Sequence, residues 1–483
     1  MKELWKKLKE CRTLREMKEV ISGALKDAGC TSPMGVYRWL GEERREKVLF
    51  FFLGLLILSP LLAIPDCLKD AVLYHDNASH LHGYLFLFNG TLLTLFVLFF
   101  AICRRREQPV SLKERFREYP WLFLLVLLLI WSCISTIFSG NFLFCFTGSA
   151  RHRDGLFSYF LYAGILGSLF LIKNTERRCR LLRLFVHAAV PVSAVIFLQV
   201  CDMEFINIAF PYYRSSVFTN ANYFGYYLGL VIPCLAGLLL YDSGKCLRRP
   251  LLYSAEMLLL SYAQILCDSF GSYLGTLVGV LLMPYLFKGL SGRGFRLRNL
   301  LPAALFLLVT LLSFAELLPM GYQGSNSVRQ NFSFLFSDVE SIADEDEDME
   351  HAGSGRIGIW LTYLSHADDR PLTGYGPEGL AGTDLAEEAG NPRPHNEYLQ
   401  WLMFCGFPGF TLYMSFVICF AVWCFRNIRH FTPFGLIAGA AVVSYLISAF
   451  FGLTLFSSTS YFWMLVGFLG SDRRELQASE AGS

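Results

Sequence analysis

Long stretches without a charged side chain set the pattern of this chain. Residues 48–64, 83–103, 155–172, 184–201, 215–241 and 299–315 are each apolar enough, for long enough, to cross a bilayer, which takes about 17–25 residues. Residues 120–150 hold one more such stretch and 398–425 another, while 250–287 and 431–471 each have room for two. The pattern predicts an all-α polytopic membrane protein of about twelve transmembrane helices. Its polar segments are short except at two places. Residues 1–47 form a basic N-terminal segment, and 319–395 form one large loop between helices 9 and 10. Helices 1–9 then occupy 48–318, helices 10–12 occupy 396–471, and 472–483 form a short tail. Within the N-terminal segment Leu4, Leu8, Cys11, Leu14, Met17, Ile21 and Leu25 recur at helical spacing among lysines and arginines. That spacing suits a helix lying on the anionic inner leaflet, or a plain topology anchor. So much charge ahead of the first span does not read as a cleavable signal peptide.

Composition strengthens this reading. Only 17% of residues are charged and 54% are hydrophobic, against roughly 25% charged in soluble domains. Charge placement adds an orientation, because lysine and arginine accumulate in short cytoplasmic loops. With the N-terminus inside, 34 of the 42 basic residues fall in inner segments and 8 in outer ones. Both termini are then cytoplasmic and the 319–395 loop is extracytoplasmic. The outer cations are Lys69 and seven arginines: Arg151, Arg153, Arg214, Arg329, Arg356, Arg370 and Arg393. Arginine is the side chain that grips phosphate or pyrophosphate bidentately. The fourteen cysteines lie mostly in or beside the spans without CxxC spacing. They read as buried apolar residues rather than a disulfide or metal framework.

The chemistry gathers in the large loop, which contains GSGRIGIW (353–360), RPLTGYGPEGL (370–380) and RPHNEYLQW (393–401). Ser354 is placed to cap a helix whose apolar face is Ile357, Trp360, Leu361 and Leu364. That helix would lie on the outer membrane surface with Arg356 in its first turn. A helix N-terminus with a guanidinium beside it is an anion site. An interfacial helix with a snorkelling arginine is the plainer reading. Pro394 suits the first turn of the following span, which sets His395 near its N-terminal end. The helix dipole there disfavours imidazolium and leaves a neutral general base. Glu397 is the nearest group to orient that histidine, although residues two apart do not face each other on a helix. A lone interfacial histidine is more often inert, and only its company with Arg356 argues for a role. Arg214 precedes SSVFTNANYFGYY, where Asn220 and Asn222 mark either a substrate path or the caps of a span. Arg151 and Arg153 lie in GSARHRDGLFSY just before another span. The acidic run 344–350 reads as a solvated loop, since it lacks cation-ligand spacing.

The order RHRDGLFSY, then R-SSVFTNANYFGYYLGLVIP, then SGRIGIW–PLTGYGPEGL–HNEYLQWLMFCGFPG is similar to that of the O-antigen ligase/Wzy-type polymerase superfamily over roughly residues 151–409. The resemblance implies a GT-C-like membrane fold and a metal-independent glycosyltransferase with no cofactor. It implies a bacterial inner-membrane enzyme that moves a glycan from undecaprenyl pyrophosphate to an acceptor hydroxyl on the external face. The partners are then the undecaprenyl-pyrophosphate-linked glycan donor, a glycan or lipid-glycan acceptor, and membrane lipids, with no nucleic acid. By position, Arg214 and Arg356 match the family's pyrophosphate-contacting arginines and His395 its catalytic histidine; Asn396 and Glu397 complete that motif. Many members have Ser-Arg-Gly where this chain reads Ser269-Phe270-Gly271, so Arg151 or Arg153 would have to compensate. Two alternatives stay open. A Wzy-type polymerase shares the donor chemistry and joins lipid-linked repeats. A transporter of a small solute expects charges near mid-membrane, where Glu256 and Asp268 are the few candidates.

Overall fold

The computed structural model describes residues 30–64, 74–107, 111–200, 214–218, 220–243, 248–291, 297–318 and 355–472, with a few isolated positions besides. The amphipathic pattern over residues 4–25, the acidic run 344–350 and the cap expected at Ser354 lie outside the described residues. Described secondary structure is helical throughout, with no strand among these residues. In chain order the helices are α1 (Pro33–Leu62), α2 (Tyr74–Glu107), α3 (Leu112–Glu118), α4 (Pro120–Phe138), α5 (Phe142–Thr147), α6 (Leu156–Leu171), α7 (Thr175–Val200) and α8 (Ala221–Asp242). There follow α9 (Arg248–Leu266), α10 (Phe270–Ser291), α11 (Leu301–Phe314), α12 (Arg356–Ser365), α13 (Asp384–Glu388), α14 (Glu397–Asn427), α15 (Pro433–Ser448) and α16 (Phe456–Ser471).

Among the described residues 8 helices are long and apolar enough to cross a membrane: α2, α4, α7, α8, α10, α11 with the turn before it, α14 and α15. Helices α1, α6, α9 and α16 fill the other apolar segments. This is the polytopic all-α architecture the hydrophobic pattern calls for, and it follows from lipid offering the backbone no hydrogen bonds. Helix starts use ordinary signals. Proline opens α1, α4, α11 and α15, and the side chains of Ser32, Asn220, Asn396 and Thr432 cap α1, α8, α14 and α15. Helix α8 is the central member, enclosed by α9, α10 and α15 with further contact to α7, α11 and α16. Its neighbours α10 and α15 approach closely through small residues. A Cβ on Gly275 would lie 2.3 Å from the Ser444 carbonyl, the kind of contact that holds helices together where water provides no drive.

Helix α14 is broken where the long loop before it docks. Gly406 adopts φ 66 and Pro408 follows two residues later, so the turn between them loses its own hydrogen bonds. Loop residues and α4 supply substitutes. Tyr375 N–H donates to the Met403 carbonyl at 2.9 Å and Gly376 N–H to that of Phe404 at 2.8 Å, while Phe407 N–H turns to the Pro371 carbonyl at 2.8 Å. Ser135 Oγ donates to Phe404 at 2.7 Å and Trp131 Nε1 to Cys405 at 2.9 Å. The 370–376 turn is thereby stitched into the bundle by main-chain atoms, and it carries Glu378 to the end of the bundle where α14 begins.

Candidate functional site

The side chains of interest collect at one end of the bundle, where α6, α8, α14 and α16 begin and α9 turns into α10. Helix α12 starts at Arg356 after Gly355, which takes φ 76. It is held down by Tyr363, fully buried, whose hydroxyl donates to the Asn391 carbonyl at 2.5 Å. Trp360 packs edge-on against Phe450 at 5.3 Å. Arg356 itself is half-buried, with no carboxylate partner among the described residues.

Asn391 connects this helix to the histidine. Its Oδ1 accepts from Arg393 N–H at 3.1 Å, and its Nδ2 lies 3.0 Å from His395 Nε2. Because Oδ1 is committed, the amide presents a donor to the ring, and Nε2 meets it with a lone pair. The neutral ring therefore carries its proton on Nδ1. His395 has φ 51, a left-handed conformation that is uncommon for a side-chain-bearing residue and worth 1–3 kcal/mol or so of strain. Burial, then the charges of Arg356 and Arg393, push its pKa down to about 4. The ring is neutral at pH 7, as the dipole argument anticipated, but the main cause is burial. Pro394 is not in the first turn: α14 starts at Glu397, and Asn396 caps it by accepting from Tyr398 and Leu399 N–H at 3.0 and 3.1 Å.

Beneath the histidine lies a buried ionic cluster centred on Arg393. Its guanidinium donates to Glu378, to the Thr454 carbonyl at 2.9 Å and to Asp154 at 3.4 Å. Glu378, with φ 56, also accepts from Ser149 N–H and, at 3.2 Å, from Ser149 Oγ. Asp154 accepts from Gln400 Nε2 at 3.0 Å and from the Thr454 hydroxyl. Burial works against the charge on Arg393, but Glu378 and Asp154 outweigh it and raise its pKa above the usual arginine value. For Asp154 the balance falls the other way. Burial, assisted by Glu378, lifts its carboxyl to about 7 although Arg393 opposes. One guanidinium thus serves two carboxyl groups. His152 joins from the same turn as Asp154, with Nε2 3.0 Å from the Tyr223 hydroxyl and Nδ1 3.6 Å from Glu378. Burial, then Arg393 and Arg151, hold its pKa far below the ordinary histidine range.

The residues singled out from sequence sort into distinct positions. Arg356, His395 and Asn396 come together at the start of α14. Arg214 occupies the corner where α9 meets α10: Asp268 opposes the burial that lowers its pKa, and its Nη1 is buried without a hydrogen-bond partner. Asn222 accepts from Ser269 Oγ at 2.8 Å, and Asn220 is the N-cap of α8. Ser269 of the departing Ser-Phe-Gly triplet therefore ties this corner together through its hydroxyl. Glu397 does not orient His395. Its carboxylate turns into the bundle, accepting from Tyr413 at 2.5 Å and Tyr445 at 2.9 Å; Glu397 is the first residue of α14, whereas His395 lies before the helix with φ 51. Arg153 is likewise committed elsewhere. With φ 47 it is buried against Gly83, its guanidinium 4.5 Å from the Tyr84 ring. Arg151 remains exposed beside His152. Neither charged transporter candidate stands free at mid-membrane: Glu256 lies 2.8 Å from His187 Nδ1, and Asp268 sits at the α9–α10 turn beside Arg214.

The residues that sequence reasoning passed over are Arg393, Glu378, Asp154, His152, Asn391 and Gln400. All but Asn391 stood inside the quoted motifs, and Asn391 is two residues upstream of one; the signal was two acids and a histidine sharing glycine-rich turns with arginines. The fold and this end of the bundle define a polytopic helical membrane protein with a cationic, histidine-bearing polar site. Residues 256–414 match the family model described as O-antigen ligase. The match takes in about a third of the chain, including Arg356, Glu378, Arg393 and His395 but not Arg214 or the 151–155 turn. No curated protein matches the chain significantly.

Proposed function

We propose that this chain is a glycosyltransferase of the O-antigen ligase type, moving a glycan from undecaprenyl pyrophosphate to an acceptor hydroxyl on the external face of the bacterial inner membrane. The observation that carries the proposal is the neutral His395 ring, held by Asn391 within the field of Arg356. Inverting transfer needs a base for the acceptor's proton and positive charge for the departing pyrophosphate. In the proposed step the acceptor hydroxyl replaces the Asn391 amide at Nε2, gives its proton to that nitrogen and attacks the anomeric carbon. The bond to pyrophosphate breaks, and Arg356 and Arg214 neutralise the leaving group. A base of pKa about 4 is weak, but an anionic donor seated against Arg356 cancels the charge that depresses it and strengthens it when it is needed.

The proposal includes twelve spans with both termini cytoplasmic and the 319–395 loop outside, as the charge distribution argues. Asn396 supports the reading as the cap that fixes where His395 leaves the loop, while Asn220 and Asn222 support the Arg214 corner. Arg151, exposed and unpaired with any carboxylate among the described residues, is the cation in the better place to compensate for the missing triplet arginine. The test is transfer of a labelled glycan by membranes carrying wild type or His395→Ala at equal expression. Loss of transfer with a retained fold supports the base assignment; full activity overturns it. The glycans of a deletion strain separate the two members of the family. Intact polymer stranded on its carrier supports ligase, and loss of polymer length makes the protein a Wzy-type polymerase instead.

A further inference from the structure

A cavity opens on the side of the bundle where α2 and α4 flank α6, and its inner end reaches Glu397 and Thr454 beside the buried cluster. It encloses about 620 Å³, within the range of roughly 300–1,000 Å³ typical of ligand sites. Its walls are apolar: Val97 and Ala101 of α2, Leu125 and Leu129 of α4, Ala163 and Leu166 of α6. Several wall residues, including Ile102, Val126 and Leu112, are exposed, so the groove faces the surrounding membrane. Its end away from the arginines closes on Glu397, Trp401, Thr454, Thr459 and Trp463. Its lower mouth is lined by three arginines, Arg104 and Arg105 of α2 and Arg115 of α3. None of the three is paired with a carboxylate among the described residues, whereas Arg38 nearby is bridged to Glu107 at 2.7 Å.

Dimension and charge together choose the occupant. Along α4 the groove runs from Leu122 to Ser132 and along α6 from Leu171 to Tyr159, a rise of about 15–18 Å at 1.5 Å per residue. That is about half of a hydrocarbon core some 30 Å thick, the depth of one leaflet. An acyl chain of a glycerophospholipid fits this depth, whereas a long isoprenoid needs more. The mouth offers guanidinium forks for a phosphate, and the one lining carboxylate, Glu397, stands at the opposite end of the groove, held by Tyr413 and Tyr445. Basic side chains at the end of α2, and Arg115 in the last turn of α3, suit the helix dipole and the inner-leaflet rule in any case; what sets these three apart is that they ring one mouth of an apolar groove.

We propose that this groove is a binding site for one anionic glycerophospholipid of the inner leaflet, its acyl chain lying between α2 and α4 and its phosphate on Arg104, Arg105 and Arg115. The leaflet named rests on the membrane orientation proposed above; binding to the groove does not. The test is native mass spectrometry of the purified full chain in mild detergent, after incubation with phosphatidylglycerol or with phosphatidylcholine of the same chain lengths. One phosphatidylglycerol should stay bound through activation that strips phosphatidylcholine. Two variants probe opposite ends of the groove: Ala163→Phe fills it from an exposed position, and Arg104→Gln/Arg105→Gln/Arg115→Gln removes the mouth charge. Each should reduce retention at least tenfold while the melting transition of the delipidated protein stays at the wild-type temperature. Equal retention of the two lipids, unchanged retention in whichever variant folds, or displacement of phosphatidylglycerol by equimolar undecaprenyl phosphate overturns the proposal. Transfer activity enters none of these readouts, so failure here leaves the glycosyltransferase reading standing, and the reverse.

Discussion

Replacing Arg393 with glutamine tests whether the buried cluster is what holds the site in place. The guanidinium is 3% exposed and donates to Glu378, to the Thr454 carbonyl at 2.9 Å and to Asp154 at 3.4 Å. At 3.4 Å and an effective dielectric of about 20, two unit charges attract by roughly 5 kcal/mol. Part of this is absent at neutral pH, since the Asp154 carboxyl titrates near 7; Glu378 is the closer partner. Removing one member of a buried pair costs about 3–5 kcal/mol, because the other charge stays buried alone. Arg393→Gln should therefore lose about 3–5 kcal/mol in denaturant unfolding of the full chain in detergent. Glu378→Gln should lose a comparable amount. The double variant should lose clearly less than the two together, with a coupling of at least about 1.5 kcal/mol, because each substitution relieves the orphan left by the other. Losses that simply add within about 0.5 kcal/mol, or an Arg393→Gln protein as stable as wild type, would refute the pairing. Lowering the pH toward 5 should soften the Arg393→Gln defect, since Asp154 is then neutral in the folded protein.

Further outcomes follow from single contacts. For the free enzyme, kcat/KM for the donor should stay level from pH 8 to about 5.5 and then fall as the His395 ring protonates near pH 4. The folded pKa lies below the unfolded value of about 6.5, so the neutral ring's contribution to stability is present above 6.5 and lost as pH falls toward 4. Arg356→Gln should move the acid limb of that profile to higher pH, and an unmoved limb breaks the electrostatic link. Glu397→Gln should cost about 1–3 kcal/mol of stability through the Tyr413 and Tyr445 hydrogen bonds while leaving the same limb in place; a shifted limb would return Glu397 to the role of orienting His395. Gly406→Ala should expose the 370–376 turn to limited proteolysis, because φ is 66 and the new Cβ would lie 2.4 Å from the Leu372 carbonyl. The left-handed backbone alone costs about 1–2 kcal/mol, and wild-type protease resistance would contradict the stitched loop. Arg214→Gln should raise the donor KM several-fold with kcat and melting temperature nearly unchanged, and an unchanged KM removes it from the site.

Hydrophobic runs were enough to locate the long helices, because in lipid an apolar run has few structures open to it. That Arg356 and His395 would come near one another was also legible, since each stands beside a helix start in one loop; that burial rather than the dipole keeps the ring neutral was not. The ion-pair cluster was not. Arg393, Glu378 and Asp154 look in sequence like the ordinary charges of an extracytoplasmic loop, and only the folding of that loop into the bundle buries them. The error over Glu397 has a local cause: His395 leaves the loop before α14 begins, so the two share no helix, and Tyr413 and Tyr445 receive the carboxylate. Arg153 misled for the opposite reason, since a cation next to a span offers no sign that a glycine opposite, Gly83, leaves room for it to lie down. The Gly406–Pro408 break was visible as residues but not as a junction, because its partners lie 30 positions upstream and on α4.

That junction bears on how relatives of this protein can diversify. The turn from Pro371 to Gly376 is fastened to α14 through carbonyls and amides, and Ser135 and Trp131 also reach main-chain carbonyls. A fastening of this kind is indifferent to most side chains and intolerant of a change in spacing. Substitutions at exposed positions of the loop away from Glu378, Asn391, Arg393 and His395 leave this fastening alone, while a single inserted residue between 371 and 376 would shift the amides past their carbonyls. The loop is in effect a replaceable tool on a fixed shank, with its variation confined to composition rather than to length at the joint.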